Sequence, residues 1–252
     1  MPDFFPLRYS EVRRDYLSLR KYAVAFCFAL FAIFCSSIVL LLIRKNFGVI
    51  TSPSLQLCLG MFPLSIAAPL AALGYLLFSS SPRQWQKILD LRFELYVKDH
   101  KVLKQNLKLL ALIIPVVFLL NGLTTLLLKN CGFEHLPTQD LFIPKAGSPL
   151  SLWVLIFVST IFLAPISEEF IFRLLLFHSS DFLRIPLPEF FTAFVFALMH
   201  QIPQAIPSLF FLGVILQKQK EKDGLLASIM LHSCYNLLMF GGLVFMNLFF
   251  AK

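Results

Sequence analysis

The sequence predicts an all-α fold, a polytopic transmembrane helical bundle of about seven to eight spans. Three observations carry this. Apolar residues make up 58% of the 252-residue chain and charged residues only 14%, where soluble domains carry about 25% charged. The apolar residues fall in blocks of about twenty, the length that crosses a bilayer as a helix. These Phe-, Leu- and Ile-rich blocks lack period-2 alternation, so a barrel is not the reading. A net charge of +8 suggests nucleic acid in a soluble chain; here a one-sided Lys/Arg bias explains it, and no nucleic-acid partner is expected.

The elements follow in order. Residues 1–20 are a polar lead-in, and Arg20-Lys21 ahead of a long apolar run predicts an uncleaved first span, about 22–43. Span 2 covers about 54–78, with Pro63 and Pro69 expected to kink it. Segment 79–108 holds seven Lys/Arg against three acids, with Trp85, Ile88, Leu91, Leu95 and Val102 at mostly helical spacing. It reads as an amphipathic helix on the cytoplasmic surface or as a solvated extension of span 3. Span 3 covers about 107–128, and 129–149 is a loop with three prolines.

Span 4, about 150–177, is followed by a short loop, 178–188. Span 5, 189–200, is too short to cross alone, and Pro203 and Pro207 break the helix after it. Span 6, 208–217, ends in a charged turn at 218–223; span 7 starts at Gly224, and Gly241-Gly242 separates it from a last apolar piece. Residues 1–149 thus form an N-terminal membrane region and 150–252 a second one, integrated in a single membrane domain. Segments 1–21, 79–108 and 218–223 hold most of the Lys/Arg, whereas 44–53 and 129–149 carry two each. The N-terminus is therefore expected in the cytoplasm, with the chain in a plasma membrane. The five cysteines form no CxxC pair and read as small core residues.

Polar residues inside such spans are costly, roughly 2.5–3.5 kcal/mol each at mid-bilayer, and mark function. Three groups stand out: Glu168, Glu169 and Arg173; His200, one turn after Phe196; and His232 with Asn236, one turn apart. At 1.5 Å per residue, Glu168, His200 and His232 lie roughly 12–18 Å below the expected cytoplasmic surface. Three distant segments thus meet at one depth, as a shared polar cavity requires.

Residues 168 and 169 point about 100° apart on a helix. Glu169 and Arg173, at i,i+4, read as a buried structural pair, with Phe196 as packing, and Glu168 is left to face the cavity beside a histidine. A Glu–His pair around a water suits general-base attack on a carbonyl, and His232 with Asn236 could donate to the oxyanion. The rival use is zinc, with Glu168, His200 and His232 as ligands and one position open.

The ordered motifs EExxxR (Glu168–Arg173), FxxxH (Phe196–His200) and HxxxN (His232–Asn236) resemble those of the CPBP family, the CAAX prenyl protease and bacteriocin-processing (Abi) intramembrane proteases. Phe172 and the Phe211-Leu212-Gly213 run support the resemblance, which covers about 150–240; Leu174 stands where the family often has Gly. It implies an eight-helix fold with a conical cavity open to the cytosol. It also implies a glutamic-type endopeptidase in which Glu168 and His200 activate water and His232 and Asn236 stabilise the oxyanion. No cofactor is then needed, zinc being the alternative. The implied partners are the lipid bilayer and a membrane-associated peptide or protein, possibly lipidated or bacteriocin-like. A silent immunity or scaffold protein of the same family is the alternative. A proton-coupled transporter fits less well, since the sequence has no inverted repeat.

Overall fold

The computed structural model describes residues 9–47, 59–81, 89, 101–133 and 148–250. The described residues form seven helices and no strand: α1 Tyr9–Phe47, α2 Leu59–Phe78, α3 Lys101–Asn130, α4 Leu150–Phe182, α5 Pro188–Met199, α6 Ile206–Asp223 and α7 Leu225–Phe250. Five of them (α1, α2, α3, α4 and α7) contain stretches long and apolar enough to cross a membrane. Their outward faces carry large apolar side chains such as Phe31, Phe34, Leu41, Phe118, Leu126 and Phe245, all more than half exposed. Such a surface is stable against lipid and not against water. The chain is an integral membrane protein.

Proline and polar side chains shape the helices more than breaks do. α2 runs through Pro63 and Pro69 rather than ending there: one π turn, Pro63–Ala67, absorbs the missing donors, with Ala68 N–H bonded to Pro63 O. α4 continues to Phe182, beyond the expected end near 177, and its Ser179 and Ser180 hydroxyls bond back to Leu175 O and Leu176 O. The charged turn expected at 218–223 is the last part of α6, which ends where Gly224 takes φ 91°. α7 passes through Gly241-Gly242 without a break. After α5, the break is shorter than expected: Gln201 and Ile202 are irregular, Pro203–Ala205 is a 3₁₀ turn, and α6 begins at Ile206. The amphipathic segment expected at 79–108 lies for the most part outside the described residues.

One end of the bundle is tied by polar contacts, and these fix the helix directions. Lys21 Nζ, three turns into α1, donates to Ser79 O after α2 (2.8 Å), and Tyr22 stacks on His178 near the end of α4 (4.5 Å). Lys220 Nζ near the end of α6 donates to His178 Nε2 (3.4 Å). Asn106 near the start of α3 donates to Ala227 O on α7 (3.2 Å) and accepts from Gln219 of α6 (3.0 Å). This rim therefore gathers the first half of α1 at Lys21, the starts of α3 and α7 and the ends of α2, α4 and α6.

α4 is the central helix. Every residue from Glu169 to Leu176 is buried, Leu174 among them. A helix buried on all faces is a core helix, here packed by α1, α5, α6 and α7. α5 and α6 form a hairpin rising from the rim. They touch closely at Gly213, where a Cβ would stand 3.0 Å from Ala193 Cβ and 3.1 Å from its Cα. Only glycine lets the backbones approach this far, and this contact sets the height of His200 at the hairpin tip.

Candidate active site

The polar cluster begins with a proline. Pro165 has no N–H, and the preceding π turn Ser159–Leu163 directs Ala164 N–H to Ser159 O. Thr160 O then has no partner within the helix at either the i+4 or the i+5 position. Asn236 Nδ2 of α7 donates to it at 2.9 Å, which holds the side chain against α4 and leaves its second N–H for another acceptor.

One turn along α4 stand the two glutamates. Glu169 is wholly buried and accepts three bonds: from Arg173 Nε at 3.2 Å, from His232 Nδ1 at 2.9 Å and from the Ser228 hydroxyl, whose single proton is shared with Leu216 O. Arg173 is equally buried, and its guanidinium carbon lies 4.5 Å from the centroid of the Phe196 ring, a favourable desolvated cation–π contact. Glu168 is 17% exposed, and its Oε2 lies 3.8 Å from His232 Nε2.

The sequence-based division therefore changes. Glu169 is not only the partner of Arg173, since it also orients His232. The histidine beside Glu168 is His232, and no ion-pair contact within 4 Å joins Glu168 to His200. The two carboxylates diverge on α4, but opposite edges of one imidazole reach both. Because a carboxylate only accepts here, Nδ1 of His232 carries the hydrogen and Nε2 faces Glu168.

His200 is fixed in the same way. Its Nδ1 lies 2.8 Å from Phe196 O, which can only accept, so Nε2 is the acceptor nitrogen of the neutral ring. Phe196 is more than filler: it lies edge-on to His200 (4.7 Å between centroids), His232 (5.9 Å) and Phe172 (5.4 Å) while covering Arg173.

Glu168, His200, His232 and Asn236 line one cavity of about 480 Å³, together with Tyr235 and an apolar wall that includes Met61, Met199, Met239, Phe240 and Leu243. That is the size of a site for a small ligand or a few residues of peptide. Its lining runs from positions toward the end opposite the rim, such as Met61, Asn121, Ile156 and Leu243, to Glu168 and His232 near the middle of the bundle.

The sequence reading does not single out Ser228. Its signal is present as spacing, one turn before His232 in a SxxxHxxxN series on one face of α7. Ser167, given no role, bonds back to Leu163 O and Ala164 O. Among the described residues, no group of three or more His, Cys, Asp or Glu side chains is arranged to hold a metal ion. Glu168, His200 and His232 thus do not fit a zinc centre as they stand.

Residues 150–238 match the family model described as type II CAAX prenyl endopeptidase Rce1-like, roughly a third of the chain and the part that holds every residue of the cluster. The resemblance to the CPBP family carried by the three motifs is borne out over this region. Neither a search of curated proteins nor one of solved structures returned a match.

Proposed function

From a membrane-embedded, Rce1-like region whose polar residues meet in one cavity, we propose that the chain is an intramembrane endopeptidase of the glutamic type. Its substrate is a peptide bond in a membrane-associated peptide or protein. The observation that carries the reading is the imidazole of His232, held by buried Glu169 on one side and facing the cavity carboxylate Glu168 on the other. The arrangement has the logic of a carboxylate-oriented histidine, in which one acid fixes tautomer and direction and the other nitrogen meets the reaction.

In this reading a water lies between Glu168 and His200 Nε2. Its oxygen forms the new bond to the carbonyl carbon while its proton passes to Glu168. The oxyanion accepts from the second N–H of Asn236 and, with a hydrogen on Nε2, from His232. Glu168 then returns the proton to the leaving amine as the C–N bond breaks. Low dielectric around the cavity strengthens each of these contacts. Purified wild-type protein in detergent is expected to cleave a quenched fluorescent peptide bearing a farnesylated cysteine, and Glu168→Gln and His200→Gln to lose at least about 100-fold in kcat. Equal turnover by either variant and the wild type would remove that residue from the mechanism.

A further inference from the structure

The cavity has a second polar group, supplied by a helix that takes no part in the catalytic cluster. α3 is apolar through its second half, and from Leu109 to Leu128 only Asn121, Thr124 and Thr125 carry hydrogen-bonding side chains. A polar group in such a helix is costly unless something uses it. Thr124 is satisfied inside its own helix, where its hydroxyl donates to Leu120 O (2.7 Å). Asn121 instead reaches across to α6 and lines the cavity. It lies outside residues 150–238, so the family match assigns it nothing.

One half of the Asn121 amide is already held. Ser208, buried in the first turn of α6, donates its hydroxyl hydrogen to Asn121 Oδ1, with Ala205 O 2.9 Å from the same hydroxyl. A neutral amide has one acceptor oxygen and two N–H donors. With Oδ1 occupied, Nδ2 keeps both hydrogens, and among the described residues no group accepts them. A clamp between α3 and α6 needs only the Oδ1 contact; it does not account for a donor left over at a cavity wall. Much of the remaining wall is apolar, including Met61, Leu209, Leu212 and Met239. An isoprenyl or acyl chain would fill such a wall but has no acceptor for an amide, whereas a peptide offers one carbonyl per residue.

A round cavity of 480 Å³ is about 10 Å across, the length of about three extended residues at about 3.3 Å each. A peptide whose scissile carbonyl lies among Glu168, His200 and Asn236 therefore reaches the α3 wall within its next few residues. We propose that Asn121 is a substrate-binding residue whose Nδ2 donates to a main-chain carbonyl of the peptide, roughly two or three residues from the scissile bond. Ser208 is the positioning residue that holds the amide in that rotation. The substrate class rests on the protease reading. Because every residue carries a main-chain carbonyl, the contact sets the register of the peptide and not its side chains.

The test uses the full chain in detergent and the quenched farnesyl-cysteine peptide. Asn121→Leu, close in volume and suited to an apolar span, is expected to raise KM about three- to tenfold, the effect of one neutral hydrogen bond, with kcat changing far less. Ser208→Ala is expected to raise KM in the same direction, and to add under about twofold in the Asn121→Leu background, because the two side chains act as a unit. Replacing main-chain amides of the peptide by esters, one at a time and leaving the scissile bond intact, weakens one carbonyl acceptor at a time. One ester position is expected to raise KM for the wild type and to leave Asn121→Leu unmoved. A lower kcat or Tm in both variants with KM unchanged reduces the pair to a helix clamp and overturns the proposal. An ester series with the same profile in wild type and Asn121→Leu also overturns it. Binding of a fluorophore-labelled copy of the peptide is followed by anisotropy in the Glu168→Gln background, with and without Asn121→Leu. Tighter binding with Asn121 intact supports the proposal even where the wild type cleaves nothing, a result that tells against the protease reading alone. Equal binding, or none, overturns the proposal, and cleavage with equal KM overturns it while leaving the protease reading in place.

Discussion

Glu168 and Glu169 are adjacent and chemically identical, and the structure requires them to behave oppositely when changed to glutamine. In Glu169→Gln, three donors (Arg173 Nε, His232 Nδ1 and the Ser228 hydroxyl) confront a group with one acceptor oxygen and an NH₂. At least one donor then faces another donor, and the Arg173 cation, fully buried and with no hydrogen-bond partner for Nη1 or Nη2 among the described residues, loses its counter-charge. Removing one partner of a buried ion pair costs about 3–5 kcal/mol. At 2–4 °C per kcal/mol for a chain of this size, Tm falls by about 6–20 °C. Among the described residues Glu168 makes one ion-pair contact, at 3.8 Å, and it is partly exposed, so Glu168→Gln costs under about 1 kcal/mol. The assay is thermal unfolding of the detergent-solubilised proteins, read as loss of monodisperse protein. Adding Arg173→Met to Glu169→Gln removes the orphaned charge and is expected to recover at least about half of the loss. Cleavage is expected to follow the opposite order, with Glu168→Gln losing activity while keeping its stability. Equal Tm losses at the two positions, or a larger one at Glu168, would refute the division of roles between them.

Pro165→Ala restores an N–H at residue 165 that competes with Asn236 for Thr160 O; Tm is expected to rise while kcat falls about tenfold, the factor for one well-placed oxyanion donor being 10²–10³ and only part of it lost. Gly213→Val drives an isopropyl group into Ala193 and is expected to tilt the α5–α6 hairpin, lowering Tm and activity together, and Ala193→Gly in the same chain to restore both in part. Stringent chelation is expected to leave cleavage within about twofold of the untreated protein, measured on the same peptide, whereas a zinc-held water would be lost with its metal.

The fold class and the membership of the cluster are legible in the sequence, for physical reasons. Long apolar blocks without period-2 alternation admit helices only, and ionisable residues inside them stand out because lipid makes them costly. Depth counted along the chain brings Glu168, His200 and His232 to one level, and the structure places all three with Asn236 around one cavity. What spacing cannot supply is direction. The 100°-per-residue rule treats α4 as uniform, whereas π turns at Ser159–Leu163 and Glu169–Leu176 shift its register twice. Those turns depend on which carbonyl finds a partner on a neighbouring helix, a tertiary fact. Helix ends differ from expectation for a related reason: Gly241-Gly242 and the charged 218–223 stretch are unfavourable only on average, and packing or rim contacts outweigh propensity there.

Stability and chemistry meet at His232. Its Nδ1 belongs to a closed set of buried groups, Glu169, Arg173 and Ser228, that join α4 to α7, while its Nε2 belongs to the cavity. The carboxylate that offsets Arg173 is thus the same one that sets the tautomer and direction of the imidazole. A buried ion pair is weak evidence of stabilisation by itself, since an apolar pair of equal volume often does as well. Here an apolar replacement would leave His232 free to turn, and no hydrophobic side chain can hold a ring nitrogen toward a cavity. The buried Glu169–Arg173 pair is therefore better explained by the orientation it imposes than by the energy it contributes. That is why the costliest residues in the membrane lie one layer behind the cavity rather than in it.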